Sequence, residues 1–188
     1  EGRQPWQLKP DGFEFSSDGR FLYIDATDRG IVGLYRLDLQ TDKPPKIIMN
    51  LRSVSAYHPL RQPQGQPDRL LVTSSTMAEP CVYEVVDAEK GANWMARLIP
   101  QTSGLEDLSI SQEQVSSIHF EGAEGHAIQA WVVKPRDFHV SKSYPLCLSI
   151  HGGPYSSWND SWSNRVDPRS FKSRHYAERE RIVEQYLV

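Results

Sequence analysis

From residue 13 the chain reads FEFSSDGRFLYIDA: apolar and polar residues alternate, break at Ser16 to Gly19, and alternate again. A period of two puts every second side chain on one face of a strand. Asp18-Gly19 between two such runs signals a hairpin, because glycine supplies the positive φ that a tight turn requires. IVGLYRLDL (31 to 39) and PPKIIM (44 to 49) add two short strands, completing one four-stranded unit. The order then returns: VSAYHPL (54 to 60), a Pro/Gln-rich insertion at 61 to 67, DRLLVTSS (68 to 75), CVYEVVDA (81 to 88) and NWMARLIPQ (93 to 101). Leu34-Tyr35 matches Val82-Tyr83, and Phe15-Ser16-Ser17 matches Tyr57-His58-Pro59 at the turn into the next strand. The repeat of about 48 residues slightly exceeds the ~40 to 45 of a four-stranded propeller blade, so the expectation is two consecutive blades. Propellers close with ~4 to 8 blades, and an open pair leaves flanks and edge strands exposed. Two blades therefore imply further ones.

After QTSGLEDLSIS (101 to 111) the pattern changes. VSSIHFEGAEGHAIQAWVVKP predicts a hairpin with Glu121 to Gly125 as its turn and Pro135 ending the second strand. YPLCLSI (144 to 150) is almost wholly apolar, which predicts a strand buried on both faces of a mostly parallel sheet. A hairpin followed by a buried strand that ends in a glycine loop is how an α/β-hydrolase sheet begins. FKSRHYAERERIVEQYLV (171 to 188) carries only a thin apolar stripe, Ala177, Ile182, Val183 and Tyr186, and reads as a marginal surface helix or a disordered tail.

Twenty-one basic and twenty-four acidic residues leave a formal charge of −3 without blocks of one sign, which favours neither nucleic acid nor an anionic membrane. The longest apolar runs fall far short of the ~20 residues of a membrane span, and the first residues, EGRQPWQLKP, are not a signal peptide. A targeting segment, if there is one, lies outside this sequence. Cys81 and Cys147 sit in separate strand-like runs and read as two buried free thiols, with a disulfide between them as the alternative. No cofactor motif or metal-ligand spacing occurs. His58 falls in a blade turn, His119 and His126 in the hairpin, His139 in a loop and His175 in the tail, each a surface or satisfied histidine. Asn159-Asp160-Ser161 is an N-x-S glycan acceptor, or a chance triplet.

The chemistry gathers in SIHGGPYSSWNDSWS (149 to 163). In acyl-transfer enzymes of the α/β-hydrolase type, the loop after the third strand presents a backbone N–H to the developing oxyanion, and glycine allows the close approach and strained φ this needs. Gly152 and Gly153 are the candidates; His151 would orient the loop and Pro154 would stiffen its exit. A plain strand-ending turn is the competing reading. Trp158 and Trp162 are expected to pack under the edge of the hydrolase sheet, with contact to a peptide as the alternative.

FSSDGRFLY, IHFEGAEGHAIQAWVVKP and YPLCLSIHGGPYSSWNDSWSNRVDP together resemble the prolyl oligopeptidase family of serine peptidases. Within it the likeness is to the secreted fungal dipeptidyl-peptidase branch, related to acylaminoacyl-peptidases, and runs from about residue 5 to residue 171. The resemblance implies the last blades of a β-propeller (1–104), then the first strands of an α/β-hydrolase domain (105–170), then a divergent charged tail (171–188), the whole truncated. It implies release of N-terminal dipeptides by Ser-Asp-His chemistry, peptide substrates, no cofactor, and secretion. Of the site residues only the oxyanion loop His151, Gly152, Gly153 and Pro154 carries over. The nucleophile elbow G-x-S-x-G does not occur in the sequence. The acid and base that should follow it are absent too, so the chain is expected to be inactive alone. It is also expected to be marginally stable, because two partial domains each lose core. The alternatives are a non-catalytic, propeller-derived binding protein and an acylaminoacyl-peptidase or esterase, which shares the oxyanion loop.

Overall fold

A computed structural model describes residues 8–63, 65–99, 111–153, 156–162 and 183–187. The first sheet contains β1 (Pro10–Phe15), β2 (Phe21–Asp28), β3 (Ile31–Asp38) and β4 (Lys46–Met49), each antiparallel to the next. The turn anticipated at Ser16 to Gly19 is present, with Gly19 at φ 70°. Backbone bonds from Gly19 N–H to the Ser16 carbonyl and from Ser16 N–H to the Phe21 carbonyl close the turn, and Ser16 Oγ adds to them by accepting the Phe21 N–H at 2.8 Å and donating to Asp18 Oδ1 at 2.7 Å. β2 and β3 join through only two residues, Arg29 and Gly30, at φ 50° and 73°. Two positive φ values are what a turn needs if it is to follow the right-handed twist of its strands.

The second sheet repeats the plan with β5 (Ser53–Leu60), β6 (Arg69–Ser75), β7 (Val82–Asp87) and β8 (Gly91–Ile99). Irregularities recur at the same places. The register slips between Pro10 and Gly12 in the first sheet and between Val54 and Ala56 in the second. It slips again between Leu34 and Tyr35, and between Tyr83 and Glu84. Pairing therefore aligns Asp25 with Thr73, Leu34 with Tyr83 and Phe15 with Pro59, which corrects the match made from residue types. Tyr57-His58-Pro59 lies inside β5, and His58 pairs with Leu71 instead of occupying a turn. The sequence match misplaced the register because the offset between the two sheets changes from strand to strand, 44 residues at Phe15/Pro59, 48 at Asp25/Thr73 and 49 at Leu34/Tyr83, as the connections differ in length.

The main core lies between these two sheets: Tyr23, Leu34, Ile48, Met49, Val54, Leu70, Val72, Val86 and Ala88 pack together from both. Two tyrosines cross the seam in opposite directions. Tyr23 of the first sheet donates to Asp68 Oδ2 at 2.7 Å, and Tyr57 of the second donates to Asp25 Oδ1 at 2.8 Å. Burial, reinforced by the accepting carboxylate, holds both phenols protonated well above the ordinary tyrosine range.

The third sheet has the order β11-β12-β10-β9, from β9 (Val115–Glu121), β10 (Ala127–Val133), β11 (Leu146–Ser149) and β12 (Val183–Leu187). β10 is antiparallel to β9 and β12, whereas β11 runs parallel to β12. The hairpin β9–β10 turns at Glu121 to Gly125 as its sequence predicts. The last residues differ from the helix or disordered tail expected of them. Val183–Leu187 is a strand inserted between β10 and β11, and 171–182 lie outside the described residues. A thin 3.6-residue stripe offers a helix little burial, while a slot between two strands satisfies both edges of the backbone.

β11 departs from expectation in its burial. Leu146, Leu148 and Ile150 are 63%, 52% and 63% exposed. Parallel strands are buried when helices cover both faces of the sheet, and among the described residues no helix covers this one. Cys81 and Cys147 are free thiols, half-buried instead of fully buried. No helix of the described residues is long and apolar enough to cross a membrane.

Candidate oxyanion loop and the seam behind it

β11 ends at Ser149, and Ile150, His151, Gly152 and Gly153 leave the sheet beside the parallel strand β12. This is the carboxyl end of parallel strands, where open α/β sheets place their ligands. Gly153 has φ 86°, a left-handed conformation that favours glycine. Gly152 is exposed, and a Cβ built on it would meet nothing within 4 Å, so no neighbour demands a glycine there and the space in front of the loop is open. The half-buried His151 turns its ring back on the loop, and Nδ1 donates to the Gly152 carbonyl at 3.0 Å. Pro154 lies outside the described residues. Among the described residues no group of three or more His, Cys, Asp or Glu side chains is arranged to hold a metal ion.

The residues that follow the loop form a seam with both propeller-like sheets. Trp158 packs on a second core of Ala78, Val115, Trp131 and Val133, together with Met77, and its carbonyl accepts Trp131 Nε1 at 2.9 Å. Trp162 donates its N–H to Ser75 Oγ at 3.0 Å. Between them Asp160, only 5% exposed, donates its N–H to the Gly30 carbonyl and accepts the Met77 N–H on Oδ1, both at 2.7 Å. Gln129 of β10 donates Nε2 to the Arg29 carbonyl at 2.9 Å. Both carbonyls of the two-residue β2–β3 turn thus receive donors, one from β10 of the third sheet and one from the segment that follows the glycine loop.

Burial raises the pKa of Asp160 above the ordinary carboxylate range; the Met77 amide and the charge of Arg52 pull the other way without cancelling it. Arg52 is itself paired with Glu79 and donates Nε to Ser74 Oγ at 3.1 Å. Asn159 is half-buried, and its Oδ1 accepts from Ser157 Oγ at 2.9 Å. Sequence reasoning noticed Asp160 only as the middle of a glycan triplet and missed Arg29, Gly30 and Gln129 entirely. An acid enclosed by two tryptophans in WNDSW was the available hint, since aromatic neighbours imply burial and a buried carboxylate needs donors. A turn carbonyl leaves no trace in a sequence.

No family model matches the chain. The chain is 35% identical over 178 residues to the probable dipeptidyl-peptidase 5 of Aspergillus clavatus and 30% identical over 173 residues to dipeptidyl-peptidase 5 of Trichophyton schoenleinii. Each alignment covers 91% of this chain and 23% of the relative, so the chain spans under a quarter of the length of these curated relatives. Among solved structures, an acylaminoacyl peptidase in complex with Z-Gly-Gly-Phe-chloromethyl ketone superposes with a TM-score of 0.68 at 14% identity, covering 98% of this chain and 25% of that one. Porphyromonas gingivalis dipeptidyl peptidase 4 gives 0.64 at 16% identity, covering 97% and 25%. At such identities the superposition speaks for the fold: the first two sheets are propeller blades, and the third is the opening of an α/β-hydrolase sheet. Likeness in sequence over nine-tenths of its length, and in fold over nearly all of it, shows that the chain belongs to the prolyl oligopeptidase family of serine peptidases.

Proposed function

We propose that these residues are part of a serine peptidase that releases dipeptides from the N-termini of peptides, and that His151, Gly152, Gly153 and Pro154 form its oxyanion loop. The observation that carries the reading is the glycine pair at the carboxyl end of β11, one residue held at φ 86° and the other facing open space. In the reaction a serine oxygen attacks the scissile carbonyl, the carbonyl oxygen becomes an oxyanion, and a backbone N–H from this loop donates to it. Such a donor is worth ~2.7 to 4 kcal/mol because it is already aimed where the charge develops. The nucleophile, acid and base lie outside these residues, as the absence of G-x-S-x-G requires. On this reading the domain boundary falls near residue 104, and the blades restrict entry to short peptides.

The likeness to dipeptidyl-peptidases 5 supports the choice of dipeptides over acylated amino acids. Secretion, with a glycan on Asn159, is the outer part of the same proposal. Mass spectrometry of the products formed by the native full-length protein tests it. Unblocked peptides should shorten by two residues at a time, while N-acetylated peptides stay intact. Release of a single acetylated residue would replace this reading with that of an acylaminoacyl-peptidase. An N-glycosidase should lower the mass of the secreted protein, and Asn159→Gln should reduce that shift by one glycan.

A further inference from the structure

The segment behind the oxyanion loop is fastened at alternate residues. Trp158 is held through its carbonyl by Trp131 of β10, Asp160 by both blades, and Trp162 by Ser75 at the end of β6. Asp160 differs from its neighbours in using main chain and side chain at once, the N–H toward the first blade and Oδ1 toward the second. A carboxylate 5% exposed to water is a costly way to hold a loop, and the Met77 amide and the nearby Arg52 offset only part of that cost. Only four residues separate Gly153 from Trp158, so the fastened segment and the glycine loop are joined by a short covalent path.

We propose that Asp160 is a positioning residue for acyl transfer: it ties the segment that carries the oxyanion loop to both blades, so that the loop's N–H donors keep their aim only while the propeller is docked. This rests on the reading of His151, Gly152 and Gly153 as an oxyanion loop, and it adds a dependence of that loop on the blades. Displacing a catalytic group by about 1 Å costs on the order of a hundredfold in rate.

The test compares Asp160→Ala, Asp160→Asn and Ser75→Ala with the parent in the native full-length protein. The reading is kcat and KM on a dipeptidyl anilide, normalised to titrated active sites so that misfolded molecules do not count. Asp160→Ala should lower kcat by about ten- to a hundredfold with KM within about threefold, because the donors act on the transition state more than on bound substrate. Asp160→Asn keeps an oxygen for the Met77 N–H and should recover most of the loss. Ser75→Ala should lower kcat by about fivefold, and it decides the matter by itself if Asp160→Ala does not fold. Turnover per titrated site within twofold of the parent in the alanine variants, or a rise in KM at constant kcat, would overturn the proposal. A parent without turnover would overturn the oxyanion reading and the proposal with it.

Discussion

The seam between the two blades and the outer face of the third sheet are both rich in apolar residues, yet one is closed and the other open. Leu70, Val72 and Val86 of the second blade are 0% exposed because the first blade covers them. Leu148 of β11 is 52% exposed although its strand is as apolar as any in the chain. The difference lies in what each kind of sheet needs. A blade is antiparallel and buries one face against its neighbour, so two consecutive blades already make a core. A strand of a parallel sheet needs cover on both faces, and its cover comes from elements distant in sequence.

The largest effect that tests this comparison is a matched pair of truncations. Leu70→Ala should destabilise by about 2 to 5 kcal/mol, the range for emptying a packed site. Leu148→Ala should stay within about 0.5 kcal/mol, because half of that side chain is already in water. Urea unfolding of the 188-residue chain reads both. Equal losses would mean that β11 has a covered face in solution and that the contrast is false.

The tyrosines that cross the blade seam should give a smaller effect. Tyr23→Phe removes the donor to Asp68 while leaving the ring in the core, and Tyr57→Phe does the same toward Asp25. A hydrogen bond from a buried phenol to a charged group is worth about 1.5 to 3 kcal/mol. A double-mutant cycle of Tyr23→Phe with Asp68→Asn isolates the bond, and coupling of about 1 kcal/mol or more is expected. Additive losses would mean that the Tyr23 hydroxyl contributes nothing specific to joining the blades.

The contrast between the two regions is also what governed how far the sequence could be read. Blade strands are local: each alternates and ends at a turn, as at Ser16 to Gly19, so β1 to β8 were legible to within three residues at their ends, β1 starting at Pro10 and not at Phe13. Their register was not, because a bulge such as that at Val54/Ala56 is a property of pairing and not of composition. Gly153 after β11 was legible for the same local reason, since a left-handed φ favours glycine. β12 was hidden, because a charged stretch with a thin apolar stripe becomes a strand only when two others offer it their edges. Asp160 was hidden because its partners, Gly30 and Met77, are backbone groups far away in sequence.

Titration separates the seam from the surface of the blades with the smallest effect and the clearest sign. Asp38 on the first blade is held below the ordinary carboxylate value by its hydrogen bonds and ion pair with Arg20, so its contribution is present above pH 3.8 and lost as the pH falls through its lowered pKa. Asp160 is the reverse. Its pKa is raised above 3.8 by burial, so the folded state binds the proton more tightly than the unfolded chain, and stability from this group grows as the pH falls through the raised value. Asp160→Asn should therefore melt at or above the parent's temperature at neutral pH. That difference should shrink on acidification and vanish below about pH 3.8, where the parent carboxyl is protonated in both states. Asp38→Asn should melt below the parent at neutral pH and draw level as acid removes the pair. If the melting difference at residue 160 instead widens in acid in the parent's disfavour, the carboxylate is held as an anion by Arg52, and the seam carries an ion pair between the blades and the segment that follows the glycine loop.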